Sequence, residues 1–128
     1  MRAITPKDLP APLANYSHGI EVPPGARLLF VAGQLGIGPD GNPPEDAAAQ
    51  ADLCFEAIGA ILRAAGMDFS NLVRLNAYVT DRAHMKGYMA ARDRHVSSPP
   101  PASTLVIVSG FTRPEFKVEV EAVAAKVE

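Results

Sequence analysis

The stretch Val73-Arg74-Leu75-Asn76-Ala77-Tyr78-Val79-Thr80-Asp81 decides the reading of the fold. Val73, Leu75, Ala77 and Val79 alternate with Arg74, Asn76, Tyr78 and Thr80, the period-two pattern of a strand with one face on a core and the other polar. Asp81 has the side chain to cap a helix just after it, in which Met85, Tyr88, Met89 and Val96 form an inner stripe. Gly87 weakens that helix, because glycine loses the most backbone entropy on becoming helical. Upstream, Ala47, Ala51, Cys54, Ile58, Ile61, Leu62 and Ala65 recur every three or four residues, on one face of a longer helix. Glu45 and Asp46 suit the positive end of its dipole, and Gly66 the left-handed position past its end.

Further out, Leu28-Leu29-Phe30-Val31-Ala32-Gly33 is an apolar run that reads as a buried strand. Gly19-Ile20-Glu21-Val22 reads as its partner across a turn at Pro23-Pro24-Gly25, and residues 36–44 form a loop rich in glycine and proline. Thr104 to Ser109 is β-branched and apolar, which predicts a central strand. In Phe116 to Ala124 the residues Val118, Val120 and Ala122 face one way and Lys117, Glu119 and Glu121 the other. The order ββ–α–β–α–ββ predicts an α+β layer fold with helices gathered on one face of the sheet. Its polar face suits packing against other subunits.

The chain has 128 residues, of which 48% are hydrophobic and 20% charged, so a single domain spanning 1–128 is expected. One cysteine, Cys54, excludes an internal disulfide and any multi-cysteine metal site. A net charge of −2 argues against binding nucleic acid through phosphate neutralisation. The start has no long apolar region and no run approaches the ~20 residues needed to span a bilayer, so a cytoplasmic protein without membrane contact is expected.

Few residues carry chemistry. Gly33-Gln34-Leu35-Gly36-Ile37-Gly38 lacks the context of a phosphate loop, and its glycines instead allow close backbone approach. His18, His84 and His95 lack metal-ligand spacing, so no metal is expected. Arg82, Lys86, Arg92 and Arg94, mixed with Asp81 and Asp93, read as a solvated helix face that also holds His84 and His95. Cys54 lies on the apolar helical face and reads as an inert core thiol. Glu119 shares a strand face with Lys117 and Glu121; if assembly buries that face, a carboxyl there would be held near neutral protonation, ready for acid–base work with water.

Six blocks then resemble one family. They are Asn15-Tyr16-Ser17-His18-Gly19, Phe30-Val31-Ala32-Gly33-Gln34-Leu35, Ala64-Ala65-Gly66-Met67, Val73 to Asp81, Pro101-Ala102-Ser103-Thr104-Leu105-Val106 and Val118-Glu119-Val120-Glu121-Ala122-Val123-Ala124. Together they resemble the RidA/YjgF family of reactive-intermediate deaminases, also called endoribonuclease L-PSP-like. The resemblance implies a chorismate-mutase-like fold with one mixed sheet and two helices on one face. It also implies a homotrimer with a central β-barrel, and small-molecule clefts between adjacent subunits. Active members hydrolyse enamines and imines such as 2-aminoacrylate to 2-keto acids and ammonia, without metal or cofactor.

Carried over by position, Glu119 is the catalytic glutamate, and Tyr16, Gly33 and Thr104 are substrate-binding. The family's clamping arginine stands here as Ser103. Ala32, Leu105 and Met89 occupy positions where serine, cysteine and asparagine are frequent. Losing a charge-assisted pair to a carboxylate costs roughly 1.5–3 kcal/mol, and Arg113 is the replacement guanidinium to consider. The first expectation is therefore a homotrimer whose clefts bind a small metabolite other than 2-aminoacrylate. The second is an enamine/imine deaminase of altered substrate, and the third an RNA-directed role as endoribonuclease or translation inhibitor.

Overall fold

The computed structural model describes residues 1–128. Four strands form one mixed sheet: β3 (Arg27–Leu35), β4 (Leu72–Val79), β5 (Ala102–Ile107) and β6 (Val118–Lys126), in the spatial order β3-β6-β4-β5. β6 runs antiparallel to both β3 and β4, whereas β5 runs parallel to β4. Two short strands, β1 (Arg2–Ile4) and β2 (Gly19–Glu21), pair antiparallel beside it.

Helix α1 (Ala47–Ala64) starts at Asp46, whose carboxylate accepts from the Ala49 amide at 3.3 Å, and Gly66 follows its end at φ +71°. Its buried side presents Ala47, Ala51, Cys54, Phe55, Ile58 and Leu62. These pack with Leu75, Ala77 and Val79 of β4 and Val118, Val120, Ala122 and Ala124 of β6 in one core. Asp81 caps a 3-10 turn at Arg82–His84 that runs into α2 (Met85–His95). Tyr88 of α2 stacks on Phe55 of α1 with ring centroids 5.9 Å apart. Gly87 is there for packing: a Cβ on it would sit 3.1 Å from the Ala48 Cβ on α1.

Three expectations need correction. β2 pairs with β1 rather than with β3, because three residues cannot cover the nine-residue β3, whose full length is matched by β6. β5 is an edge strand, not a central one, and Val106 and Ile107 remain exposed. Its apolar, β-branched composition answers to a surface this chain alone does not cover. The basic residues of α2 do not all lie on a solvated face. Arg92 is only 4% exposed, and His95 is half-buried, stacked on Phe55 at 5.3 Å and bonded to Asp52 at 3.3 Å. Charge and α-helical spacing alone could not separate these two from exposed Arg82, Lys86 and Arg94.

Candidate functional site

Glu119 is the second residue of β6, opposite Leu35 on one side and Tyr78 on the other, on the sheet face away from the helices. Beside it β3 is irregular: the register shifts between Val31 and Gln34, across Ala32 and Gly33. A bulge of this kind re-aims side chains at a strand end. Here it brings the Gly33 backbone against the glutamate, so a Cβ on Gly33 would lie 2.8 Å from Glu119 Cδ. Gly33→Ala is expected to push the carboxylate aside while changing the melting temperature little, since the clash is with the end of a flexible side chain. Thermal melts together with the NMR shift of the Glu119 carboxyl check this; an unmoved carboxyl resonance contradicts it.

Burial pushes the Glu119 carboxyl above its usual range, and the charge of Glu121 adds to the effect. Glu121 itself is held as an acceptor, taking the Tyr78 hydroxyl at 2.7 Å and the Asn76 amide at 3.2 Å on one oxygen. Arg74 completes the row by donating to Asn76 Oδ1 and to Thr104 Oγ1, both at 2.9 Å. The hydrogen bond to Glu121 raises the Tyr78 pKa, as expected of a donor to a carboxylate. Glu119 and Glu121 thus share a face but differ in role: the second is tied down, the first is not. A hollow of about 460 Å³ lies over this face, lined by Phe30, Ala32, Asn76 and Glu121 among others.

The other candidate residues gather elsewhere. Ser17 pairs with Ala102 and its amide donates to Pro101 O at 3.1 Å, which carries Tyr16 to the start of β5. The Tyr16 hydroxyl accepts from the Leu13 amide at 3.3 Å, and its ring meets His18 edge-on at 6.1 Å. Leu105 and Met89 pack against the core. Ser103, between Ala102 and the outward Thr104, lies beside the Tyr88 hydroxyl without completing a hydrogen bond to it. Burial pushes the Tyr88 phenol well up, against smaller lowering effects of Arg92 and Ser103.

One chain therefore brings Ala32, Gly33 and Glu119 together, and sets Tyr16 beside the start of β5, which carries Ser103 and Leu105, but does not join the two groups. β4 lies between β6 and β5, so at about 4.8 Å per strand the groups are roughly 10–14 Å apart. Arg113 joins neither: it pairs with Glu115 at 3.0 Å and covers the Phe116 ring at 4.9 Å. Cys54 is fully buried, and burial, reinforced by the charge of Glu119, pushes its thiol up to about 12, so it stays protonated. No three His, Cys, Asp or Glu side chains converge. Sequence reasoning missed that Arg92 lies over the Tyr88 ring and that the Tyr88 hydroxyl neighbours Ser103. Their i, i+4 spacing was the available signal, and the hydrophobic stripe absorbed it.

Fold and site define a class: an α+β layer protein with its two helices on one sheet face and a free carboxylate at a strand end on the other. The sequence profile of the family described as endoribonuclease L-PSP matches residues 6–126, and the chain belongs to this family, the RidA/YjgF group. A RutC family protein, y4sK from Sinorhizobium fredii, is 35% identical over 94% of each chain. The 2-iminobutanoate/2-iminopropanoate deaminase of Escherichia coli is 26% identical over 98% of each. Among solved structures, the Yersinia pestis Rid-family protein YyfB, described as of unknown function, superposes with a TM-score of 0.83 at 28% identity, covering 98% of both chains. The family thus includes deaminases, and the α+β fold expected from the strand and helix pattern is the fold of its solved members. No helix is long and apolar enough to cross a membrane.

Proposed function

We propose that the protein works as a homotrimer whose clefts, between adjacent copies, bind a small metabolite and present Glu119 to it. The observation that carries this reading is the division of the site: Glu119 and Gly33 lie toward the β3 edge, and Tyr16 and Ser103 belong to the β5 edge. Both edges carry apolar side chains facing water, with Phe30 73% exposed on β3 and Val106 and Ile107 exposed on β5. A second copy with its β5 edge against this β3 edge would cover those side chains and close the distance between the two groups. Cyclic repetition of that contact closes a ring. Because Ser103 stands where a clamping arginine is expected, 2-aminoacrylate is not the substrate we assign.

A second reading, supported by the free, partly desolvated Glu119 carboxyl, is imine or enamine hydrolysis on another substrate. Water adds to the C=N carbon as Glu119 takes one of its protons and passes it to nitrogen, giving a carbinolamine; the carbinolamine hydroxyl then gives its proton to nitrogen through the same carboxylate as the C–N bond breaks, leaving a ketone and ammonia. Atoms balance without an oxidant or a cofactor. The test pairs sedimentation of the purified protein with the decay of imines freshly generated from several amino acids. A trimer at micromolar concentration, dissociated by Phe30→Asp, is the expected result, and a wild-type monomer removes the cleft. Decay faster than the uncatalysed rate selects the hydrolase reading; a trimer that accelerates none leaves a binding protein.

A further inference from the structure

We propose that the cleft between copies takes a small organic cation with an apolar body and no carboxylate, held against Glu119 through its N–H groups. The inference rests on the inter-subunit reading above and names its ligand class.

Glu119 is the unmatched charge of that cleft. It accepts no hydrogen bond within the chain, and the one charge that acts on it is another carboxylate, Glu121. Glu121 takes both of its donors, Tyr78 and Asn76, on Oε1, so its second oxygen is unengaged as well. The cations of the sheet and of the loop before β6 all have acceptors elsewhere. Arg27 pairs with Glu128 and donates to Ala65 O, Lys126 donates to Gly66 O, and Lys117 donates to Glu45 O. Arg113 is held by Glu115. Arg74 reaches Asn76 and Thr104 at the far end of the polar row, about 13 Å along β4 from Tyr78, which faces Glu119. The cations without partners, Lys7, Arg63, Arg82 and Lys86, are exposed, the last three in the helical layer behind the sheet.

The side chains around this carboxylate are apolar. On its own edge of the sheet Phe30 and Ala32 are exposed, and the β5 edge offers Leu105, Val106 and Ile107. Leu13, 95% exposed, is presented beside Tyr16: its amide donates to the Tyr16 hydroxyl, and His18 Nε2 bonds to Pro10 O at 2.8 Å across the same turn. Closing one copy's β5 edge over this face strips water from Glu119, and a carboxylate left there without a partner is costly. A ligand cation relieves that cost, whereas a ligand carboxylate would add a further negative charge. Two parallel N–H groups on a planar cation match one carboxylate. On the hydrolase reading the ligand is the iminium of an amine: R2C=NH2+ and water give R2C=O and ammonium, both protons of the water reaching nitrogen by way of Glu119.

The test titrates three planar probes of one shape into the assembled protein by calorimetry: butanamidinium, butanamide and butanoate, which are positive, neutral and negative. Wild type is expected to bind the amidinium about tenfold more tightly than the amide, or better, and butanoate least. Acetamidinium, shorter by two CH2 groups, should bind about fivefold more weakly than butanamidinium, because it buries less apolar surface. Glu119→Gln should bring amidinium and amide to within about threefold of each other, since a neutral acceptor no longer favours the charged donor. Butanoate bound as tightly as the amidinium, a charge preference that survives in Glu119→Gln, equal binding of the two amidiniums, or no saturable binding of butanamidinium to wild type would each overturn the ligand class. Sedimentation of the same samples separates the two readings: a trimer with any of these results removes the ligand class alone, and a monomer removes the cleft with it.

Discussion

Glu119→Gln is expected to lower any imine hydrolysis by about 10²–10⁴-fold, the usual worth of a positioned acid–base group, and to raise thermal stability at pH 7. Both effects have one cause. The carboxyl sits against the Gly33 backbone and near Glu121, and its pKa is raised above its ordinary value, first by desolvation and then by that second charge. A folded-state pKa above the unfolded value means that the native state holds the proton more tightly. Stability therefore falls as pH rises from about 4.5 through the folded-state value. Glutamine has no proton to lose, so the gain over wild type should be present at pH 7 and vanish near pH 4. Melting curves of both proteins across this range, at fixed protomer concentration, check the sign. A variant less stable than wild type at pH 7 would show that the ionised carboxylate is stabilising and would remove the case for a perturbed acid. Activity surviving in the variant would move the chemistry to another residue.

The largest loss of stability is expected from Gln50→Leu, about 3–5 kcal/mol, since three backbone groups would each lose a partner at about 1–3 kcal/mol. Gln50 lies on α1 and is fully buried. Its amide donates to Pro44 O at 2.8 Å and to Glu115 O at 2.9 Å, and its carbonyl accepts from the Lys117 amide at 2.9 Å. One side chain thus pins the loop before α1 and the entry to β6, two residues before Glu119. Leucine fills a similar volume and satisfies none of these groups. Gly36 adds to the crowding: a Cβ on it would lie 2.5 Å from Gln50 O, so the loop cannot shift inward to compensate. Thermal or denaturant unfolding measures the effect, and an unchanged midpoint would mean that water takes over all three contacts. Misplacement of β6 should also lower any Glu119-dependent activity before the protein unfolds.

The elements nearest the core were legible because their signals are local. The alternation in Val73–Val79 and Val118–Ala124 names the buried face of β4 and β6 whatever they pair with. The helical spacing from Ala47 to Leu62 does the same for α1. What failed were statements about partners. β2 looked like the neighbour of β3 because it precedes it, but pairing depends on matched length and register with strands about a hundred residues away in sequence. Gln50 and Phe55 went unremarked on α1, one polar and one off the chosen stripe, and both are buried. Arg92 and His95 read as solvated because composition records charge and not the aromatic rings or carboxylates that receive it.

The same division holds for the site. Glu119, Gly33, Tyr16 and the serine at 103 stand in recognisable blocks, so the sequence by itself determined the family, the α+β class and the residues to inspect. Only the tertiary structure decided how those residues are grouped. A bulge presses Gly33 against Glu119, β4 separates that pair from Ser103, and α2 places the buried Tyr88 phenol beside Ser103. The physical reason is range. Backbone periodicity and capping are written within a few residues, whereas desolvation, spare hydrogen-bond donors and strand order arise from contacts between segments distant in the chain.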